Sequence, residues 1–184
     1  AEAAEAIGII RDIYVEEGRP EDYVTLMQKN GISISVSEAD SLSYTAAYLK
    51  YEAGDCNAAV TGFGSYISRY SNGAYVTQAH YFSAECYLKA KDYVNAIKMY
   101  EVVAAKGPSR YFERSALELA QLNYFEIKDY AKSKTYFELL RRNAASQESQ
   151  LEALRGLVRC NYQLKDYTNA NEVAKELLAR KGIS

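Results

Sequence analysis

Lys91-Asp92-Tyr93, Lys128-Asp129-Tyr130 and Lys165-Asp166-Tyr167 are one tripeptide written three times at a spacing of 37 residues. Self-similarity at a fixed period of roughly 20–50 residues marks stacked supersecondary units, each unable to bury its apolar face alone. One period upstream lies Gly54-Asp55-Cys56, and another period reaches Glu17-Gly18-Arg19, both turn-like stretches. The frame therefore predicts five units, spanning 1–31, 37–72, 74–108, 109–145 and 146–184.

Each unit reads as a helix hairpin. After the aspartate comes an apolar stripe at helical spacing: Tyr93, Ala96, Ile97, Tyr100, Val103 and Ala104 in the third unit, and Tyr167, Ala170, Val173, Ala174 and Leu177 in the fifth. These are second helices, with the aspartate placed to accept orphan backbone N–H bonds as an N-cap. Thr77 to Ala90 and Ser149 to Leu164 read as first helices. Asn30-Gly31, Asn72-Gly73 and Gly107-Pro108 are predicted to end second helices, by a left-handed glycine or by proline. Ser37-Glu38-Ala39-Asp40 resembles a capping box, while Ser109 and Ser146 restart the next helices. GISISV, residues 31–36, alternates like a strand but has no partner strand, so it is expected to be an extended loop.

Bulk composition narrows the function classes. The 184 residues are 48% apolar and 25% charged, the balance of a packed protein rather than a disordered one. A net charge of -2 leaves no basic footprint for phosphates, so nucleic acid is not an expected partner. No run of eighteen apolar residues occurs, so no transmembrane segment is expected. The sequence starts at Ala1 with no cationic leader, which suggests an excised piece of a longer chain. Cys86 and Cys160 each stand seven residues before the repeat tyrosine, two units apart. With Cys56 they form neither an even disulfide framework nor a CxxC pair, and all three are expected to be small buried apolar residues.

In the third unit His80, Ser83-Ala84, Tyr87, Ala96, Tyr100 and Pro108 supply a bulky residue, a small pair, a tyrosine, an alanine, an aromatic and a proline. At these offsets the unit resembles a tetratricopeptide repeat. The small residues let two helices approach closely, and the tyrosines fill the space beside them. Ala59 and Phe63 fit in the second unit, Ser133 and Phe137 in the fourth, and Ala170 and Ala174 in the fifth, where Gly182 replaces the proline. The resemblance spans 37–184 and implies an all-α, right-handed α-α superhelix of about five hairpins. A narrower resemblance rests on Phe63, Tyr66-Ile67, Tyr70, Asn72, Tyr75, Ala79 and Tyr81. That junction is similar to bacterial envelope repeat proteins, namely the outer-membrane assembly lipoprotein and the Tol-Pal periplasmic coordinator. It implies a bacterial periplasmic or envelope protein.

No catalytic constellation is present. GxxxxGK[ST], HExxH, GxSxG and CxxC are all missing. Gly62-Phe63-Gly64 falls inside a second helix, and the single histidine, His80, occupies a packing position. No enzyme activity, metal or cofactor is expected. The resemblance instead implies a concave groove lined by first helices, where a protein or peptide partner binds. The repeat frame puts Tyr44, Tyr48 and Tyr51 there in the second unit, Tyr81, Glu85 and Leu88 in the third, and Glu118 and Leu122 in the fourth. The fifth contributes Arg155, Arg159 and Tyr162. Arg155 and Arg159, four apart, could grip a carboxylate or pair with Glu152 or Glu148 on their own helix. A tyrosine stripe of this kind is more often core than ligand site, since tyrosine also packs between repeats. The lysines and asparagines by which a family subgroup clamps acidic C-termini are absent. The rival reading is a structural spacer in a longer solenoid. Val173, Leu177 and Leu178 of the last helix would then await a cover, from a further repeat or from a second copy of the chain.

Overall fold

The computed structural model describes residues 2–180; Gly182 lies outside them. Ten α-helices run along the described chain: α1 Glu2–Glu16, α2 Pro20–Lys29, α3 Val36–Glu52, α4 Cys56–Arg69, α5 Val76–Lys89, α6 Tyr93–Ala105, α7 Phe112–Leu122, α8 Tyr130–Asn143, α9 Gln147–Gln163 and α10 Tyr167–Arg180. No strand occurs among the described residues, and residues 32–35 are an irregular connection. The chain divides into two compact units, Ala1–Asp92 and Tyr93–Ser184.

The repeated tripeptide is a helix stop followed by a helix start. Lys91, Lys128 and Lys165 have φ of 59°, 61° and 61°, the left-handed conformation, and Gly54 takes it one period earlier with φ 80°. At Lys91 the amide donates to the Leu88 carbonyl at 2.9 Å and the Asp92 amide to the Tyr87 carbonyl at 2.9 Å. The same pair of bonds closes α3 at Gly54-Asp55 and α9 at Lys165-Asp166. This arrangement satisfies the last carbonyls of each first helix. The aspartate then caps the second helix: Asp55, Asp129 and Asp166 accept from the amides of Ala58, Lys132 and Asn169 at 3.0, 2.9 and 3.2 Å. Each cap contributes about 1 kcal/mol.

Other local signals are corrected. Ser35, not Ser37, caps α3, accepting from the Glu38 amide at 3.1 Å, so the box is Ser35-x-x-Glu38. Gly31 and Gly107 are left-handed as expected, with φ of 74° and 82°, whereas Gly73 is not. Gly73 is required by space. A Cβ there would collide with the Asp40 carboxylate and the Tyr66 hydroxyl. Those two groups hold the turn before α5: the Ala74 amide donates to Asp40 Oδ2 at 2.9 Å and the Tyr75 amide to the Tyr66 hydroxyl at 3.0 Å.

The cysteine expectation is also overturned. Cys56, at the first position of α4, is disulfide-bonded to Cys86 near the end of α5, with Cα atoms 5.2 Å apart. Cys56 stands where the third, fourth and fifth units have tyrosine, and only the packing of α4 against α5 brings it to Cys86. Cys160 is buried and free, as a small core residue.

In the first unit Ala47, Ala59, Phe63, Tyr66, Ala79 and Cys86 form the buried core. Gly62 lets α4 lie against α3, since a Cβ there would be 2.8 Å from the Ala47 Cβ. In the second unit Phe112, Ala116, Phe137, Leu140, Ala153 and Leu157 are central, and Val173 packs on them. The same closeness recurs at Gly156, whose missing side chain makes room for the Phe137 ring. α7 passes into a π-helical turn, Asn123–Ile127, before reaching Lys128. Such a turn makes i→i+5 bonds and fits an extra residue into the helix.

Candidate groove faces

The first unit presents an aromatic ladder along α3 and α5. Tyr44, Tyr48 and Tyr51 succeed one another on α3 with ring centroids 5.8 and 5.9 Å apart, each pair stacked. Tyr75, at the start of α5, stacks on Tyr44 at 4.6 Å, and Phe82 packs on both Tyr48 and Tyr51 at 5.0 and 4.7 Å. Tyr81 meets Phe82 edge-on at 5.3 Å. All of these rings are half-buried, and most of them pack against the core beneath. Tyr44, Tyr48, Tyr51 and Tyr81 are thus brought together, and the ladder serves both packing and surface. Sequence periodicity missed Tyr75 and Phe82. Their seven-residue spacing, two helical turns, was the available signal.

At the open end of this ladder Tyr51, Glu52, Cys56, Glu85, Leu88 and Lys89 line a hollow over the disulfide. Burial raises the Tyr51 hydroxyl above its ordinary pKa, and the negative charge of Glu85 raises it further.

Among the predicted residues of the second unit, Glu118 and Arg155 are held in ion pairs. Glu118 is a buried carboxylate, 8% exposed, held by Arg114 at 2.5 Å. Arg155 pairs with Glu152 at 2.8 Å, which realises the same-helix alternative rather than a free arginine grip. Arg159 is exposed, and Leu122 is buried in the core. Tyr162 is 63% exposed and packs edge-on against Tyr167. Arg114 was missed by the repeat frame, although its four-residue spacing from Glu118 marks an i,i+4 pair.

His80 makes a local bond, Nδ1 lying 2.8 Å from the Val76 carbonyl. Among the described residues no group of three or more His, Cys, Asp or Glu could hold a metal ion. No described helix is long and apolar enough to cross a membrane.

Residues 44–111 match the family described as Tetratricopeptide repeat. No curated protein matches the sequence. Among solved structures, a tetratricopeptide repeat protein from Parabacteroides merdae ATCC 43184 is 14% identical with a TM-score of 0.58, over 99% of this chain and 68% of that one. The MamA RS-1 ArsTM double mutant is 18% identical with a TM-score of 0.58, over 98% and 96%. The nearly identical TPR-like repeats of Podosopora anserina are 14% identical with a TM-score of 0.55, over 96% and 94%. Residues 44–111 are thus similar in sequence to tetratricopeptide repeats, and the chain is all-helical, with a fold like that of those solved repeat structures.

Proposed function

We propose that the protein is a non-catalytic scaffold that binds a peptide or protein segment on its first-helix faces. Tetratricopeptide repeats typically mediate protein-protein interactions, and the observation that supports a groove site here is the ladder of Tyr44, Tyr48, Tyr51 and Tyr81 along α3 and α5. Half-buried tyrosines offer large contact area with polar tips and lose little rotamer freedom on binding. A surface already ordered by its own packing reduces the entropic cost of association. The test is titration of peptide ligands against the intact chain and against a Tyr48→Ala, Arg159→Ala variant that keeps its helical signal. Loss of affinity in the variant supports groove binding, and unchanged affinity overturns it.

The structural-spacer reading draws support from α10, where Leu178 is 46% exposed. A further repeat or a second copy would cover it. Sedimentation of the chain and of Leu178→Asp separates these, because self-association through α10 makes the weight average fall in the variant.

A periplasmic or envelope location stays part of this proposal. The Cys56–Cys86 disulfide supports an oxidising compartment, since such bonds are rare where glutathione keeps thiols reduced. Thiol labelling of the protein taken from its native cells should find one reactive cysteine after denaturation, and three would argue for a reducing compartment.

A further inference from the structure

We infer that the aromatic face of α3 and α5 takes a basic peptide segment, whose lysine or arginine side chains lie along the tyrosines and meet Glu52 and Glu85. This rests on the groove reading above and adds to it the chemistry of the occupant.

The net charge of -2 conceals a division between the two compact units. Residues 1–92 contain seven Lys and Arg against thirteen Asp and Glu, a net of -6, and residues 93–184 contain fifteen against eleven, a net of +4. The aromatic ladder belongs to the acidic unit. A field of one sign around a binding face raises the local concentration of oppositely charged ligands and their association rate.

Locally the same sign prevails. The hollow at the end of the ladder holds two carboxylates, Glu52 and Glu85, against one ammonium, Lys89, and is flanked by Tyr51. Glu85 lies within electrostatic reach of the ladder: burial, and after it the negative charge of Glu85, raise the Tyr51 hydroxyl pKa. The Cys56–Cys86 bond ties the start of α4 to α5 directly beneath, so the hollow is fixed before any ligand arrives.

Lysine and arginine suit this arrangement by construction. Their aliphatic stems cover apolar surface while the charged head stays in a polar environment, and cations are attracted to tyrosine rings. The ladder supplies the rings and the hollow supplies the carboxylates. A segment rich in aspartate or glutamate would instead bring like charge to Glu52 and Glu85 inside a unit already at -6.

The experiment measures fluorescence anisotropy of three labelled decapeptides against the intact oxidised chain: alternating Lys-Gly, alternating Glu-Gly and alternating Ser-Gly. The expected result is binding of the lysine probe that weakens on raising the salt from about 0.05 to 0.5 M, as screening shortens the reach of surface charges. Glu52→Lys, Glu85→Lys together should weaken the lysine probe about tenfold or more while thermal melting shows the fold intact. Glu2→Lys, Glu5→Lys on exposed α1 serves as the control and should change it less than about threefold. Equal losses in both variants would mean diffuse attraction to the acidic unit and would overturn the assigned site. Binding of the glutamate probe in a Tyr48-dependent manner would leave the groove reading standing and overturn the basic occupant. No binding of the lysine probe would overturn the basic occupant, whereas the groove reading itself falls only if the Tyr48→Ala, Arg159→Ala variant keeps its affinity for peptide.

Discussion

The carboxylate of Glu113, on the first turn of α7, accepts three hydrogen bonds from the start of the last hairpin: from the Ser146 amide at 3.1 Å, the Ser146 hydroxyl at 2.6 Å and the Ala145 amide at 2.6 Å. Ser146 is at the same time the N-cap of α9, accepting from the Ser149 amide at 3.2 Å. One side chain therefore orders the connection between α8 and α9 and orients the residue that caps α9. The hydroxyl bonds, Ser146 first, hold the Glu113 pKa down at about 2 from its ordinary 4.5.

That shift predicts an acid sensitivity with a definite sign. A group whose folded pKa is depressed contributes stability that is full above its unfolded value and is lost as pH falls through the folded one. Melting temperature should drop between about pH 4.5 and pH 2. Glu113→Gln should lower stability at pH 7 by about 1 kcal/mol and flatten the pH dependence within that window. Melts of both proteins from pH 7 to pH 2 check this, and parallel curves would contradict it.

Removal of the disulfide should be costly. Cys56 and Cys86 are 30 residues apart in sequence, and closing a loop of that length restricts the unfolded chain by about 3–4 kcal/mol. Cys86→Ser, or reduction of the native protein, should lower the urea midpoint accordingly. Reduction of Cys86→Ser itself should change nothing further, because Cys160 is free.

Gly64 inside α4 and Gly73 in the turn before α5 should respond to alanine in opposite directions. Gly73→Ala forces a methyl into Asp40 and Tyr66 and should destabilise by about 2–3 kcal/mol. Gly64→Ala places a methyl where nothing lies within 4 Å, inside α4, and should stabilise by about 0.5–1 kcal/mol. Denaturant unfolding of the two single variants gives the comparison directly.

The lysines of the tripeptide pay a conformational penalty that glycine avoids. Lys128→Gly and Lys165→Gly, at φ of 61°, should each raise stability by about 0.5–1 kcal/mol. A loss of stability at either site would mean that the lysine side chain makes a compensating contact. Differential scanning calorimetry resolves changes of this size.

Much of the architecture was legible in the chain because a repeat states its local rules several times. The aspartates that cap second helices, the small residues Ala59, Ala96 and Ala170 that become buried, and Gly62 packed against α3 all follow from residue type and period. The left-handed turn was half legible. Gly54 announces it, whereas Lys91, Lys128 and Lys165 carry no such signature, because tertiary packing of the hairpin overrides a modest local cost. Asn72-Gly73 read as a left-handed cap for the opposite reason: glycine serves spatial closeness as well as backbone freedom, and sequence does not separate the two.

The sequence by itself determined the period, the helix pairs and the residue types available on each first helix. Only the tertiary structure decided which of those side chains meet. Cys56 reached Cys86, Tyr75 and Phe82 joined the α3 tyrosines, and Arg155 turned to Glu152. Helical periodicity assigns a residue to a face but carries no information on the neighbour opposite, and that neighbour is set by how closely two helices approach and in what register.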